Sequence, residues 1–506
     1  MRAEGWARRG FWVFAAIHLL LWTIIPLWIQ PNPPLDTVEV VAWGHEWQLG
    51  YQKHPPLVAW LAETARSIGG SAGRLWPIYL LGQLCVVIAF WAVWRLGVEI
   101  AGARLALAAV LVLEATGRYT WMTFEFNHSL VDLPCFALTT LFLHRALARR
   151  RLRWWLAAGV AFGIGIMAKY TILLLGVAVI VFVLSNREAR RRAAGPGPYL
   201  ALAVAGLIVL PHAVWLVANG FPTISYVAER ARSHAGVAGH IVNPLDFLGR
   251  QLLMLEFLFI ALLLALAWPL RIRVLDGDPR FTRQFLLAAA LGPGLVLALV
   301  SVVTGVQLHA AWGMPLWSTL GVLVLFCFET RPDPPLLRRA VLACAVFAVI
   351  NVVLALTEGV AGPYVRAKGF RTHFPGRLLA ERAAEAWGQR FAAPLPLVAG
   401  ERWLAGNVAF FAPSRPSVLT DGGLGAAILD ESACPWTSVA DLKNRGGILV
   451  WSVARQGAPL PAELKTQFPD AEILPAVILP WQTGAPLEPV RIGLAIVAPT
   501  RATAGR

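Results

Sequence analysis

Long apolar runs broken by short arginine-rich stretches pattern the first 356 residues. A helix that spans a bilayer needs roughly 20 mostly apolar residues. Eleven runs approach that length: Phe11–Trp28, Leu75–Trp94, Ala101–Ala115, Val131–Leu147, Trp154–Met167, Tyr170–Leu184, Tyr199–Val217, Phe247–Leu270, Phe285–Val303, Ala310–Phe328 and Leu337–Leu356. The fifth and sixth meet at Ala168-Lys169, and each carries arginines at its far end, which predicts two short spans joined by a turn. The first run follows Arg2, Arg8 and Arg9 as the core of a signal peptide would. Only Gln30-Pro31-Asn32-Pro33-Pro34 comes after it, with no small-residue cleavage site, so it reads as an anchor.

From Thr357 onward the apolar stretches shrink to strand length, at Leu395–Ala399, Gly447–Val453, Ala471–Leu479 and Arg491–Val497. Helix-like segments, Arg402–Phe411 and Ser438–Arg445, lie between them. Short β runs alternating with helices predict a small α/β domain. Glu401-Arg402-Trp403 and Asp421-Gly422-Gly423 read as strand-to-helix and turn punctuation, and the glycine pair lacks the context of a dinucleotide fingerprint. The expected architecture is a polytopic α-helical membrane domain over 1–356, with a long first outer loop at 29–74, and a small extracytoplasmic α/β domain over 357–506.

Composition supports this. The chain is 57% hydrophobic and 14% charged, with mean hydropathy +0.61, whereas soluble domains are roughly a quarter charged. That excludes a disordered chain, a coiled coil and an ordinary cytosolic enzyme. The net charge of +15 would suggest nucleic acid in a soluble protein, but its placement argues otherwise. Alternate loops hold about 21 basic and 7 acidic residues, while the other loops and the spans hold about 8 and 10. Lys and Arg gather in cytoplasmic loops, so the N-terminus is expected in the cytoplasm, the C-terminal domain outside, and nucleic acid is not a partner. Cys85, Cys135, Cys327 and Cys344 lie in apolar runs and read as small buried hydrophobes, while Cys434 stands alone in the polar tail.

Ionisable residues in a membrane are costly and point to function. With this topology Asp36, Glu114, Arg118, Glu125, Asn127, His128, Asp132, Lys169, His212, Asn219, His309 and Trp312 all fall at the outer ends of spans, and Glu256, inside the eighth run, is the exception. A transporter would favour midplane sites between repeated halves, and no repeat is visible. Polar residues at one face suit a substrate with its tail in the bilayer and its head in water. The first outer loop carries Asp36, Glu39, Trp43 and then Gly50-Tyr51-Gln52-Lys53-His54-Pro55-Pro56-Leu57. The pieces flanking Gly50-Tyr51 read as amphipathic helices, the second opened by Pro55-Pro56.

An Asp after the first span, followed by Gly-Tyr-x-x-His-Pro-Pro-Leu, resembles the polyprenyl-phosphate-sugar-dependent glycosyltransferases of the GT-C class, the group of the protein O-mannosyltransferases and the lipid A aminoarabinose transferase. Ser129-Leu130-Val131-Asp132-Leu133-Pro134 resembles that family's Pro-Asp-Ala-Pro, Met167-Ala168-Lys169-Tyr170-Thr171 its Ser-Lys-Tyr-Thr turn, and His309 through Trp312 to Pro315 its His/Trp/Pro segment. The resemblance covers roughly Phe11 to Phe328. There are departures. Thr37 stands where the family has a Glu, with Glu39 one turn on as the available acid. His54-Pro55-Pro56 replaces the aminoarabinose transferases' Lys-Pro-Pro, and Val131 replaces the Pro before the second Asp.

The resemblance implies an inner-membrane enzyme that moves a sugar from a polyprenyl-phosphate donor to a hydroxyl of a lipid, lipopolysaccharide or protein. Such chemistry needs a base for the acceptor's proton and cations for the leaving phosphate. Asp36 is the expected base, against a role as a solvated loop residue or helix cap. Asp132 is the second catalytic carboxylate, positioning the acceptor, orienting the first loop or helping to hold a divalent cation, against an N-cap role. Lys53, His54 and Lys169 are expected at the donor phosphate, although Lys169 also suits snorkelling. Glu39, Tyr51, Arg118, His128, His309 and Trp312 are substrate-binding candidates, Tyr51 as a stacking surface or an interfacial anchor. His212, Asn219, Tyr226 and Arg230 form another outer cluster with no assigned chemistry. A lipid or sugar flippase and a non-catalytic scaffold of the same fold are the alternatives.

Overall fold

In a computed structural model, residues 2–70, 74–232, 236–275, 277–331, 334–420, 429–453 and 460–500 are described. The Asp421-Gly422-Gly423 turn lies outside them. The chain divides into a helical unit, Met1–Ile24, Leu80–Phe124 and His128–Ala355, and a mixed unit, Ile25–Tyr79, Glu125–Asn127 and Leu356–Arg506.

In chain order the first helices are α1 (Arg2–Ile29), α2 (Leu35–Gly44), α3 (Leu57–Ile68), α4 (Trp76–Ala101), α5 (Ala103–Glu114) and α6 (His128–Arg149). Then come α7 (Leu152–Ala168), α8 (Ile172–Ser185), α9 (Arg187–Ala193), α10 (Gly197–Ala218) and α11 (Pro222–Arg230). The set continues with α12 (Gly239–Met254), α13 (Glu256–Ala265), α14 (Gly277–Thr304), α15 (Leu320–Cys327) and α16 (Pro335–Leu356). All eleven apolar runs are helical in whole or in part. Among the described residues six helices are long and apolar enough to cross a membrane, and eight if each bent pair is one span. Those six are α1, α4, α6, α10, α14 and α16, while α8–α9 bend by 108° and α12–α13 by 54°.

Among the described residues, six to eight of the eleven expected runs thus meet the length of a full span, and the others form shorter helices. The reasons are local. The third run breaks at Gly102 and leaves the 12-residue α5, and the tenth forms a 3-10 turn at Ala310–Gly313 before the eight-residue α15. The eighth breaks at Leu255, so Glu256 opens α13 instead of lying inside one long helix. Between the fifth and sixth runs the backbone turns extended at Lys169, the residue after α7.

Without a strong hydrophobic force between helices in lipid, small residues let backbones approach. In α7, Gly159 and Gly163 meet α10: a Cβ on Gly159 would stand 2.4 Å from the Ala201 carbonyl oxygen, and one on Gly163 3.0 Å from the Ala205 Cα.

The mixed unit joins the first loop to the C-terminal segment. Gly50-Tyr51 lies between α2 and α3, as the loop pattern predicts, with Pro56 just before α3. The C-terminal helices are α17 (Gly362–Val365), α18 (Gly376–Gly388), α19 (Arg402–Phe411), α20 (Val439–Arg445) and α21 (Ala462–Gln467). Ser438 and Asp441 form a reciprocal cap that starts α20. The strands are β1 (Leu397–Gly400), β2 (Ser417–Thr420), β3 (Gly447–Ser452), β4 (Glu472–Ile473), β5 (Val477–Leu479) and β6 (Val490–Val497), in the order β2-β1-β3-β6-β4 with β5 also on β6. β1 pairs in parallel with β2 and β3, and β6 is antiparallel to its neighbours. The expected run Ala471–Leu479 is split into β4 and β5 around Pro475, which has no N–H to give. Leu397, Leu419, Leu449, Trp451, Phe468 and Ala495 build the core of this sheet, and Cys434 is buried among them.

We expect Gly159→Leu to destabilise the detergent-solubilised protein by about 1–3 kcal/mol through overpacking, with Val160→Leu, on the exposed side of α7, close to neutral. Comparing their thermal unfolding checks this.

Candidate active site

In the mixed unit the first loop is organised around carboxylates. Asp36 sits in the first turn of α2, and its backbone N–H donates to Glu125 Oε1 at 3.0 Å. The next residue, Thr37, grips the neighbouring backbone. Its Oγ1 accepts from the Phe126 N–H at 2.9 Å and donates to the Phe126 carbonyl at 3.4 Å. A Glu at position 37 could not make that pair of contacts. Thr37 therefore fastens 36–37 to 125–126, and the second carboxylate beside Asp36 is Glu125. Burial, and then the negative charge of Asp36, push Glu125 up to about 7.

Glu39 is turned to other partners. Its Oε1 accepts from Lys53 Nζ at 2.6 Å and from Arg402 Nη1 at 2.8 Å. Burial raises its pKa, and the Lys53 and Arg402 charges more than offset that, leaving it below the usual carboxylate range. Lys53, expected at a phosphate, is 5% exposed and is engaged by Glu39, with its ammonium 5.6 Å from the Trp43 ring centroid.

Tyr51 is a correction to the sequence reading. Its ring is fully buried, stacked on Trp43 at 5.3 Å and edge-on to Trp436 at 5.8 Å. A ring so covered offers no face to a sugar, and burial holds its hydroxyl above the usual range. His54 closes the turn through its carbonyl, which accepts from the Tyr51 N–H at 3.1 Å. Two residues given no site role from the sequence join the loop to the C-terminal segment: Arg402, read only as strand-to-helix punctuation, and Arg415, whose Nη2 reaches Glu63 Oε2 at 2.7 Å.

In the helical unit a second group gathers at the start of α6. Asp132 is fully buried, and its Oδ2 accepts from Thr171 Oγ1 at 2.5 Å. It lies one turn inside α6, so the N-cap alternative does not hold. Lys169 donates to Ser129 Oγ at 2.7 Å, and Ser129 Oγ in turn reaches the Ala311 carbonyl at 3.3 Å. The Met167–Thr171 turn and the Ser129–Pro134 segment are thus brought together. His128 is buried in the same first turn. His309 packs edge-on to Trp312 at 5.2 Å and contacts the Arg230 carbonyl at 3.3 Å; burial lowers its pKa.

Arg118, in the 3-10 turn Gly117–Tyr119, donates from Nη2 to Gln251 Oε1 at 2.8 Å. Glu114, close to it in sequence, is spent elsewhere: it holds His18 Nδ1 at 2.7 Å and Trp22 Nε1 at 2.8 Å. Tyr170 and His212 are joined at 2.6 Å between Oη and Nε2. Among the described residues no group of three or more His, Cys, Asp or Glu is placed to hold a metal ion.

The Glu125 shift has a definite sign. A carboxyl whose folded pKa exceeds its unfolded one contributes stability below the unfolded value, near 4.5, and loses it as pH rises toward about 7. Glu125→Gln removes that loss. The variant's melting temperature is expected to gain on the wild type between pH 5 and pH 8, and parallel pH profiles would contradict the assignment.

Residues 53–215 match a family profile described as dolichyl-phosphate-mannose-protein mannosyltransferase. The chain is 26% identical over 434 residues to the lipopolysaccharide core galacturonosyltransferase RgtA of Rhizobium johnstonii, covering 80% of this chain and 81% of that one. It is 25% identical over 490 residues to RgtB of the same organism, a protein of the same description, covering 92% and 93%. In fold it is similar to the crystal structure of ArnT from Cupriavidus metallidurans bound to undecaprenyl phosphate, with TM-score 0.62, 16% identity, and 97% and 98% of the two chains covered. The similarity therefore extends over nearly the whole chain, which is a multi-pass membrane glycosyltransferase similar in sequence to RgtA and RgtB and in fold to ArnT.

Proposed function

We propose that this chain transfers a sugar from a polyprenyl-phosphate donor to a hydroxyl of lipopolysaccharide or a related lipid, at the periplasmic face of the inner membrane. The observation that carries the reading is the Asp36–Glu125 pair, held in the loop that bears Gly50-Tyr51-x-x-His54-Pro55-Pro56-Leu57. The names of the relatives favour a uronic acid as the sugar and lipopolysaccharide core as the acceptor, and the undecaprenyl phosphate of the fold relative favours a polyprenyl donor. The arginine clusters favour a cytoplasmic N-terminus. We divide the chain into a transmembrane transferase domain, 1–356, whose loop 29–74 carries the base, and a periplasmic α/β domain, 357–506.

In this reading the acceptor oxygen attacks the anomeric carbon as the Asp36 carboxylate takes its proton. The bond from the anomeric carbon to the phosphate oxygen breaks, and the polyprenyl phosphate departs with the electron pair. Direct displacement inverts the anomeric centre. Glu125, poised near neutrality, sets the basicity of Asp36: once ionised, its negative charge makes the neighbouring carboxylate a better proton acceptor. Lys169 faces the leaving phosphate, exchanging its Ser129 contact for the phosphate oxygens. Asp132 positions the turn that carries Lys169, through Thr171. Lys53 and Arg402 act through Glu39, which fixes α2 and hence Asp36.

A strain lacking this gene is expected to lose one sugar from its lipid or lipopolysaccharide, seen by mass spectrometry. Wild-type protein restores it, and Asp36→Asn, present in the membrane at equal level, does not. Full restoration by Asp36→Asn would remove Asp36 from the role of base.

A further inference from the structure

Among the described residues Arg118 is a buried cation with no carboxylate against it. It is 2% exposed, and a guanidinium keeps its charge at every physiological pH. Its contacts are neutral: Nη2 meets Gln251 Oε1 at 2.8 Å and Met254 Sδ at 2.7 Å. Its Nε–H is buried without an acceptor. Among the described residues no carboxylate bears on it, only the Tyr119 phenol, and Glu114 is committed to His18 and Trp22.

The surroundings are built rather than accidental. The Gln251 amide is engaged at both ends, its oxygen by Arg118 at 2.8 Å and Trp317 Nε1 at 3.1 Å, and its nitrogen by the Ala310 carbonyl at 3.1 Å. That fixes which way the amide points and holds the guanidinium edge in place. Ser129 grips the next carbonyl, Ala311, and also receives Lys169 Nζ. Arg118 and Lys169 are therefore each linked, through Gln251 and Ser129, to adjacent carbonyls of the Ala310–Gly313 turn.

A buried charge left uncompensated is costly, and that cost makes sense if the counter-charge arrives with a ligand. We propose that Arg118, oriented by Gln251, is the recognition cation for an oxyanion of the lipid-linked sugar donor, either its phosphate or a carboxylate on the sugar. The inference rests on the transferase reading above and adds the group that selects the donor. The oxyanion accepts from the idle Nε–H in a charge-assisted bond.

The test uses purified full-length protein and its Arg118→Gln and Arg118→Lys variants. Without ligand, Arg118→Gln is expected to melt no lower than wild type, because it removes an unpaired charge; a Gln251-bound structural arginine would instead lower the melting temperature. Polyprenyl phosphate, but not polyprenol, raises the melting temperature of wild type. If that rise is lost in Arg118→Gln, the phosphate is the anion. If it persists, turnover with a polyprenyl-phosphate uronic acid is compared with a neutral hexose on the same lipid. A loss of about tenfold or more in kcat/KM, confined to the uronic acid and partly recovered by Arg118→Lys, assigns the carboxylate. Equal shifts and equal turnover of both donors in Arg118→Gln overturn the proposal and leave the transferase reading intact. A wild type that transfers neither sugar fails that reading instead.

Discussion

A charge removed from water must be answered by another charge or a set of hydrogen bonds, and that constraint organises the site-bearing parts of this protein. It is clearest at Glu39. Lys53 comes from the same loop and Arg402 from the start of α19, and both end on one carboxylate oxygen. The three groups share burial that none could bear alone. Because α2 carries both Glu39 and Asp36, the ion triad also fixes where Asp36 stands. Arg415 on Glu63, and Arg66 on the Phe410 carbonyl at 2.8 Å, repeat the arrangement along α3. The C-terminal segment thus supplies counter-charges to the loop.

The same constraint separates two kinds of polar residue in the helical unit. Glu114 and His18 satisfy each other, and Gln83 completes the set by reaching His18 and Thr123. Such closed networks hold helices together. Asp132 accepts from Thr171, Lys169 donates to Ser129 and Arg118 donates to Gln251. Neutral hydrogen-bond partners thus help to fix where these three ionisable groups stand, which is the arrangement expected of preorganised electrostatics.

Much of this was legible in the sequence. The apolar runs placed the helices, the Lys169 turn followed from two runs with arginines at their far ends, and α19 begins and ends where its segment was drawn. Hydropathy does not register a break such as the one at Leu255 or the 3-10 turn at Ala310–Gly313, so these interruptions inside apolar runs were not legible. The loop motif pointed to Asp36, but not to its partner. Glu125 lies 89 residues away, and the natural local substitute for the missing acid, Glu39, is claimed by Lys53 and by an arginine 363 residues on. Gln251 carries no sequence signal at all: one glutamine in an amphipathic helix reads as a side chain in solvent until the Arg118 and Trp317 donors on its oxygen are seen. β2 was missed for a simpler reason, as four residues hemmed by Pro416 and Asp421 give no alternation to detect.

Chemistry at the sugar–phosphate bond is the central claim. Purified protein incubated with a polyprenyl-phosphate-linked sugar and lipopolysaccharide should release one free polyprenyl phosphate for each sugar transferred, with the anomeric configuration inverted in the product. Movement of the intact lipid-linked sugar across a vesicle bilayer, with the sugar–phosphate bond uncleaved, would contradict the account.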